Sequence, residues 1–248
     1  MSASKQSPSP PRHEEGVWAA PVNKLDVEGH PSGLMNINVE GRRLMSPMQG
    51  FGQMWQKTYR IRLDGAAVSP QEAIADWKAH YPAYWPAGNT FYAPQHDIEV
   101  GEVAVLNLKG PANLPLATGV RVIYSDDDSF AFMTPQGHMF AGVITYSAFE
   151  EQGATVLQIQ ALIRASDPVY EASFRLGFGH KAEDAFWFDT LRNLAAHLGA
   201  PDAEPEVSAV CIDPRVQWSE AGNVWYNAAI RSGLYMPVFL AKRLLGRA

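Results

Sequence analysis

The chain has 248 residues, of which 46% are hydrophobic and 11% aromatic, so it can bury a large core as one domain with additions. Its formal net charge is -6 at pH 7 and no block of Lys or Arg occurs, which argues against nucleic acid as the main partner because phosphate binding needs concentrated positive charge. The single cysteine, Cys211, cannot form an internal disulfide, and the lack of a Cys/His cluster argues against a zinc site. A reducing, cytoplasmic compartment fits best.

The first residues do not resemble a targeting segment. Residues 1–16 are rich in Ser, Pro and charge and lack the apolar core of a signal peptide, so they are predicted to be a disordered tail. Residues 17–53 contain many Gly, Pro and Asn residues without a sustained period, which is typical of an ordered arm that wraps a domain.

The first regular element is a strand over residues 54–63. Trp55, Tyr59 and Ile61 alternate with polar residues, which is the period of a half-buried strand. Lys57 is the one polar side chain that this alternation places on the inner face.

A helix follows, because Ser69, Pro70 and Glu72 form the sequence of a capping box with proline at the first helical position. Trp77 lies on its apolar face. The segment HYPAYWPAGNTFY then holds the densest aromatic cluster of the chain, and it would serve either as a lid or as a packing plug.

Five further strands are predicted, separated by turn-forming segments, so they should pair as an antiparallel meander. Their ranges are 102–108, 119–125, 130–134, 139–149 and 154–164. In the last strand Leu157, Ile159 and Ile163 share the inner face. Gln158, Gln160 and Arg164 are expected to face water.

A long closing helix is predicted after Asp167 and Pro168, with a kink near residues 177–179. Phe186, Leu191, Leu194 and Leu198 fall near one stripe of it, with Trp187 at the margin. The fold class is therefore α+β: an antiparallel sheet, curved around a long helix, over residues 54–199. Residues 200–248 are predicted to be a C-terminal extension with a strand at 207–212 and a basic-ended helix.

His138 is the best polar candidate for a site, because it lies in a predicted hairpin whose strands should line any cavity. It could donate a hydrogen bond to a ligand or act as an acid or base near neutral pH. The alternative is a turn histidine held by the backbone. No Asp, Ser or Cys partner at a recognisable spacing supports a hydrolytic triad.

Aromatic residues could line an apolar pocket with polar tips, although each alone would be ordinary core. The predicted ligand-binding set is Trp55, Tyr59, Trp77, Tyr124, Phe132, Tyr146 and Trp187.

Three other patterns have simpler explanations. Gly177 and Gly179 lack the third glycine and the preceding strand of a dinucleotide-binding turn, so no cofactor is predicted. Three consecutive aspartates at 126–128 indicate a solvated turn rather than a metal site. The most apolar stretch near the other end, Leu234 to Ala241, is too short to span a bilayer and is interrupted by Pro237. The segment from Trp225 to Leu245 could be a docked helix or a peripheral membrane helix.

Three loose motifs carry a family resemblance: TGVRV at 118–122, FMTPQGH at 132–138 with Gly142 after it, and RASDPVYE at 164–171. With the order of elements, they make residues 54–199 resemble the START-like, polyketide-cyclase-like (SRPBCC) helix-grip superfamily, and within it a bacterial group of domains. The resemblance implies a hydrophobic cavity between sheet and helix and no fixed catalytic residues.

Three functional hypotheses follow. The first is binding or carriage of a lipid, polyketide-like or aromatic molecule. The second is a cyclase- or hydrolase-like enzyme that acts on an apolar substrate, with His138 and Tyr59 or Tyr146 as acid and base. The third is an interaction module that uses the terminal segments to bind a partner or a membrane surface or to form an oligomer.

Overall fold

The computed structural model describes residues 16–27, 34–93, 98–109 and 115–244. Within these residues nine strands form one antiparallel sheet in the order β3-β4-β5-β6-β7-β8-β2-β9, with β1 paired to β6. The strands are β1 (Leu44–Met45), β2 (Met54–Leu63), β3 (Thr90–Tyr92), β4 (Val103–Lys109), β5 (Pro115–Ser125), β6 (Ser129–Pro135), β7 (Phe140–Glu151), β8 (Ala154–Ala165) and β9 (Glu206–Asp213).

Four α-helices accompany the sheet: α1 (Pro70–Ala79), α2 (Pro168–Arg175), α3 (Phe178–His197) and α4 (Ala228–Leu244). Short 3₁₀ helices cover Pro47–Gln49, Tyr81–Tyr84 and Trp218–Tyr226. None of the helices in the described ranges is long and apolar enough to cross a membrane.

The predicted first strand is confirmed as β2, and its alternation sets its faces. Tyr59, Ile61 and Leu63 are buried while Thr58 and Arg60 are only half-buried. Tyr59 lies opposite Ile159 of β8 and opposite Val207 of β9, so β2 has a hydrogen-bonded neighbour on each side.

The predicted capping box of α1 is also confirmed. The Ser69 hydroxyl accepts from the Glu72 N–H at 3.3 Å, and a Glu72 carboxylate oxygen accepts from the Ser69 N–H at 2.9 Å. These bonds satisfy amide groups that the first turn of a helix otherwise leaves free.

The meander from β4 to β8 is confirmed, since each strand pairs antiparallel with the next. β5 begins at Pro115, earlier than predicted, because it pairs with β4 as far as Lys109. The connection between α2 and α3 is a break at Gly177, whose φ of 80° is a left-handed conformation that favours glycine.

The inner face of the sheet, meaning the face that α1 and α3 cover, holds the main core. Side chains of α1, of the 3₁₀ helix Tyr81–Tyr84 and of α3 form one cluster with the sheet. The predicted facing sets are in it: Tyr59 and Ile61 of β2, Leu157, Ile159 and Ile163 of β8, and Leu191 and Leu194 of α3. Trp187, predicted at the margin of its helix, is buried, whereas Phe186 is half-buried.

The opposite face of β4 and β5 is covered by the arm and by α4. Leu25, Val27 and Val39 form a second small cluster with Val105. Asn38 joins these layers, because its side-chain amide donates to Ala117 O at 2.8 Å and to the Ser232 hydroxyl at 3.1 Å.

The segment predicted as an extension after residue 199 contributes a strand to the sheet, since β9 pairs with β2. It also corrects the expectation that Arg164 faces water. Arg164 is buried, and its guanidinium donates to Gly52 O at 2.5 Å, to Arg215 O at 2.9 Å and to the Asp213 carboxylate at 2.6 Å. The chain after β9 thus covers the end of β8.

Candidate functional site

The inner face is dominated by aromatic rings that contact one another. This aromatic interior consists of Trp77, Tyr81, Phe130, Phe132, Tyr146 and Trp187, all buried. Phe130 stacks on Tyr146 at 4.6 Å between ring centroids, and the edge of Trp77 meets Tyr146 at 5.3 Å. The rings fill the space between sheet and helices, so the aromatic segment after α1 packs as a plug in this structure.

The aromatic interior contains polar atoms as well as rings. The Tyr81 hydroxyl donates to the Tyr146 hydroxyl at 2.7 Å, and burial raises the pKa of both phenols above its usual value. The indole N–H of Trp77 is buried with no hydrogen-bond partner among the described residues. A buried donor without an acceptor is unusual in a purely structural core.

Most of the predicted ligand-binding aromatics lie together. Tyr59, Trp77, Phe132, Tyr146 and Trp187 belong to the main core, and Trp55 packs at its margin. Tyr124 lies apart from them: it contacts the Trp18 ring of the arm at 4.5 Å, and its hydroxyl donates to Asp126. A register shift between Val122 and Tyr124 interrupts the regular alternation of β5 immediately before Tyr124.

A second group of side chains, which we call the β2–α3 polar cluster, lies between β2 and the first turns of α3. It consists of Lys57, Tyr59, His180, Glu183 and Asp184. The Lys57 ammonium donates to Glu183 Oε2 at 2.9 Å and to Asp184 Oδ1 at 2.5 Å. The Tyr59 hydroxyl donates to the same Asp184 oxygen at 2.7 Å.

The cluster is buried at one end and open at the other. The side chains of Lys57 and Glu183 are each 3% exposed, whereas that of Asp184 is 33% exposed. The His180 ring lies 5.0 Å from the Trp55 ring and 5.0 Å from the Phe174 ring. The cluster is therefore buried at Lys57 and Glu183, bordered by the Trp55 and Phe174 rings, and open to solvent at Asp184.

Burial shifts the protonation of this cluster. It raises the pKa of Glu183 to about 7, because the loss of water outweighs the attraction of Lys57. Burial together with the nearby carboxylates raises the pKa of Tyr59 far above its usual value. Burial and the neighbouring Lys57 lower the pKa of His180. Glu183 can thus gain or lose a proton near neutral pH, which is a requirement for acid–base work.

The sequence contained a signal for this cluster. Lys57 is the polar exception on the inner face of β2, and a buried ammonium requires a carboxylate partner. Residues three or four apart share one face of a helix. Counting back from Leu191 and Trp187 at this spacing reaches Glu183, Asp184 and His180. The prediction missed them because it considered only the apolar positions of this helix.

His138, the predicted polar candidate, is buried in the turn between β6 and β7. Its Nδ1 accepts from the Phe140 N–H at 3.0 Å, and burial lowers the pKa of its imidazole to about 4. The ring is therefore neutral at pH 7 and carries its proton on Nε2. Any acid–base role of His138 stays a prediction and has to use that second nitrogen.

The aspartates at 126–128 form a turn. Asp126 Oδ1 accepts from the N–H groups of Asp128 and Ser129 at 3.0 and 2.8 Å, as an aspartate does when it caps a turn. No group of three or more His, Cys, Asp or Glu residues in the described ranges is arranged to hold a metal ion.

An antiparallel sheet that holds a long helix against its inner face defines the helix-grip class, and this chain has that α+β architecture. No protein-family model matches the chain, and no curated protein sequence matches it.

A search of solved structures finds similar chains at low sequence identity. Protein Ms6760 from Mycobacterium smegmatis is 16% identical, with 58% of this chain and 91% of that chain covered and a TM-score of 0.42. The di-domain ARO/CYC StfQ from the steffimycin biosynthetic pathway is 12% identical, with 58% of this chain and 50% of the StfQ chain covered and a TM-score of 0.42. Major latex-like protein 151 from Panax ginseng is 14% identical, with 60% of this chain and 99% of the ginseng chain covered and a TM-score of 0.40.

Proposed function

We propose that this protein binds an apolar small molecule, of lipid, polyketide-like or aromatic character, between the sheet and the layer formed by α1 and α3. The observation that supports this most is the aromatic interior with its unpartnered Trp77 N–H. Ligand sites for such molecules are mostly apolar and contain a few polar groups that orient the ligand. A carbonyl or ether oxygen of a ligand would give the Trp77 N–H its acceptor.

The contacts between the rings set a condition on binding. Because Tyr81 contacts Phe130, Phe132 and Tyr146 at 5.8, 5.4 and 5.5 Å, a ligand needs the 3₁₀ helix Tyr81–Tyr84 to move before it enters. A preceding conformational step limits the rate of uptake, so the observed rate should level off at high ligand concentration.

The test uses freshly purified protein and a dansyl-labelled fatty acid. Native mass spectrometry should show either a co-purified small molecule or saturable uptake of the probe. Trp77→Phe, which keeps a ring but removes the N–H, should weaken uptake several-fold. Trp225→Phe is the matched control, since Trp225 is 81% exposed. Absence of both a co-purified mass and saturable uptake would rule out this function.

A second function, peripheral contact with an anionic membrane, is favoured by the surface of α4. Ile230, Leu234 and Val238 are exposed at intervals of four residues, so they share one face. From Ala221 to the last residue the chain has no Asp or Glu and has four basic residues, against a net charge of -6 for the whole chain. An apolar stripe beside basic charge suits an anionic lipid surface.

Vesicle sedimentation tests this second function. The protein should bind vesicles that contain phosphatidylserine more strongly than phosphatidylcholine vesicles, and added salt should weaken the binding. Leu234→Glu should reduce binding to the vesicles several-fold. Leu176→Glu is the control and should not reduce it, because Leu176 is similarly exposed but lies at the end of α2. Equal binding to both vesicle types, or a dimer that buries α4 in solution, would contradict the membrane function.

A further inference from the structure

Two buried polar atoms of the β2–α3 polar cluster lack a hydrogen-bond partner among the described residues: Glu183 Oε1 and His180 Nδ1. They belong to residues three apart on α3, and the other oxygen of the same carboxylate, Glu183 Oε2, lies 4.0 Å from His180 Nδ1. Leaving such atoms unpaired costs free energy, so a native structure usually supplies them with a water, an ion, a ligand or a reacting group.

The other polar groups of the cluster are already satisfied by one another. Lys57 donates to Glu183 and Asp184, and Tyr59 donates to Asp184. Of the buried side-chain atoms in the cluster, those without a partner among the described residues are one carboxylate oxygen, which accepts, and one imidazole nitrogen, which donates or accepts according to its tautomer. A group that donates to the first and accepts from the second completes the cluster.

The charges around these atoms select a neutral group. A cation would meet the Lys57 ammonium, and an anion would meet the carboxylates of Glu183 and Asp184. A hydroxyl is neutral and both donates and accepts. The Trp55 and Phe174 rings that border His180 provide apolar surface for the carbon skeleton that carries it.

We propose that Glu183 Oε1 and His180 Nδ1 bind the hydroxyl group of a neutral alcohol or phenol, whose apolar remainder lies towards the aromatic interior. Glu183 accepts from the ligand O–H, and the ligand oxygen accepts from His180. This assignment rests on the proposed binding function and adds the polar group by which the ligand is oriented.

Two small fluorescent probes with the same naphthalene ring system separate the two proposals: 2-naphthol, which has a hydroxyl, and 2-methoxynaphthalene, whose oxygen carries a methyl group and has no hydrogen to donate. Dissociation constants are measured at about pH 8, where Glu183 is ionised. The wild-type protein should bind 2-naphthol about tenfold more tightly, since hydrogen bonds to a carboxylate are strong.

The variants test which residues give the preference. Glu183→Gln and His180→Phe should each reduce it to less than about threefold, and Asp189→Asn, an exposed carboxylate of the same helix, should leave it unchanged. Equal affinities for both probes in the wild type would overturn the hydroxyl site and leave apolar binding standing. Binding of neither probe would overturn both proposals, and a preference that survives both variants would place the hydroxyl elsewhere.

A measurement on the unmutated protein covers the case in which a variant fails to fold. Long-range proton–nitrogen spectra of the histidine rings should show His180 Nδ1 shifting on addition of 2-naphthol and not of 2-methoxynaphthalene. An unchanged His180 signal at saturating 2-naphthol would overturn the assignment.

Discussion

Glu183 is the side chain whose environment departs most from that of an ordinary surface carboxylate. One of its oxygens is bound by Lys57 at 2.9 Å and the other has no partner among the described residues. Burial raises the pKa of the Glu183 carboxyl to about 7, whereas the same carboxyl in an unfolded chain has a pKa near 4.5. Its ionisation therefore affects the stability of the fold.

The direction of that effect follows from the two pKa values. The native state keeps the proton that the unfolded state has lost, so the contribution of Glu183 to stability is complete below about pH 4.5 and is lost as the pH rises through about 7. Between about pH 5 and pH 8 this amounts to roughly 2 kcal/mol. Three charged or titratable groups, Lys57, Asp184 and His180, face the Glu183 carboxyl. They determine over which pH range it titrates.

Glu183→Gln should therefore flatten the pH dependence of unfolding. The difference in unfolding free energy between about pH 5 and pH 8, measured by urea denaturation, should shrink by about 2 kcal/mol relative to the wild type. Asp189→Asn serves as the control and should leave the difference as it is. An unchanged pH dependence in Glu183→Gln would show that the native carboxyl titrates normally.

Individual residues also show where sequence periodicity reaches its limit. The alternation in β8 places Arg164 on the face opposite Leu157 and Ile159, but alternation alone cannot say what covers that face. The covering groups, Asp213 and Arg215 O, come from a part of the chain about 50 residues away. Tyr124 was misplaced for a related reason, because a register shift inside a strand has no sequence signature here.

At the scale of elements, local patterns identified most strands and helices correctly. β2, α1 and the α2–α3 break follow from alternation, a capping box and a glycine, each of which acts within a few residues. The pairing of β9 with β2 could not be predicted in that way, because it depends on where the chain returns after α3.

The break at Gly177 provides a test at this scale. Its φ of 80° is left-handed, and a Cβ added there would meet no atom within 4 Å, so Gly177→Ala isolates the backbone cost. We expect a loss of about 1 kcal/mol. Gly233→Ala inside α4, which also has open space around it and no left-handed φ, should instead stabilise by about 0.5–1 kcal/mol. If the urea midpoints of both variants shifted in the same direction from the wild type, this explanation would be contradicted.

At the scale of the whole molecule, the C-terminal segment is joined to the domain through buried polar contacts. Asn227 donates to Asp167 at 2.8 Å, and the Ser232 hydroxyl accepts from the Ala117 N–H at 3.0 Å. Beyond Pro237, Val238 and Leu240 of α4 are exposed. The two halves of this one helix therefore differ in how firmly they are held.

Hydrogen exchange should report that difference. The amides of Arg231 and Ser232 should exchange about as slowly as those of β5, because their hydrogen bonds break only when the whole domain unfolds. The amides of Leu240 to Lys242 should exchange far sooner. Uniform fast exchange along α4 would show that the segment is not part of the cooperative unit, and uniform slow exchange would show that its end is covered by a partner.

The position of β2 in the sheet has a consequence for synthesis of the chain. Its two neighbours, β8 and β9, begin about 90 and about 140 residues after β2 ends. At a typical ribosomal speed the first of them emerges about 5–20 s after β2. During that interval the apolar side of Trp55, Tyr59 and Ile61 has α1 as its nearest cover and both strand edges are open. A chaperone that recognises extended apolar segments would meet this protein at β2 first.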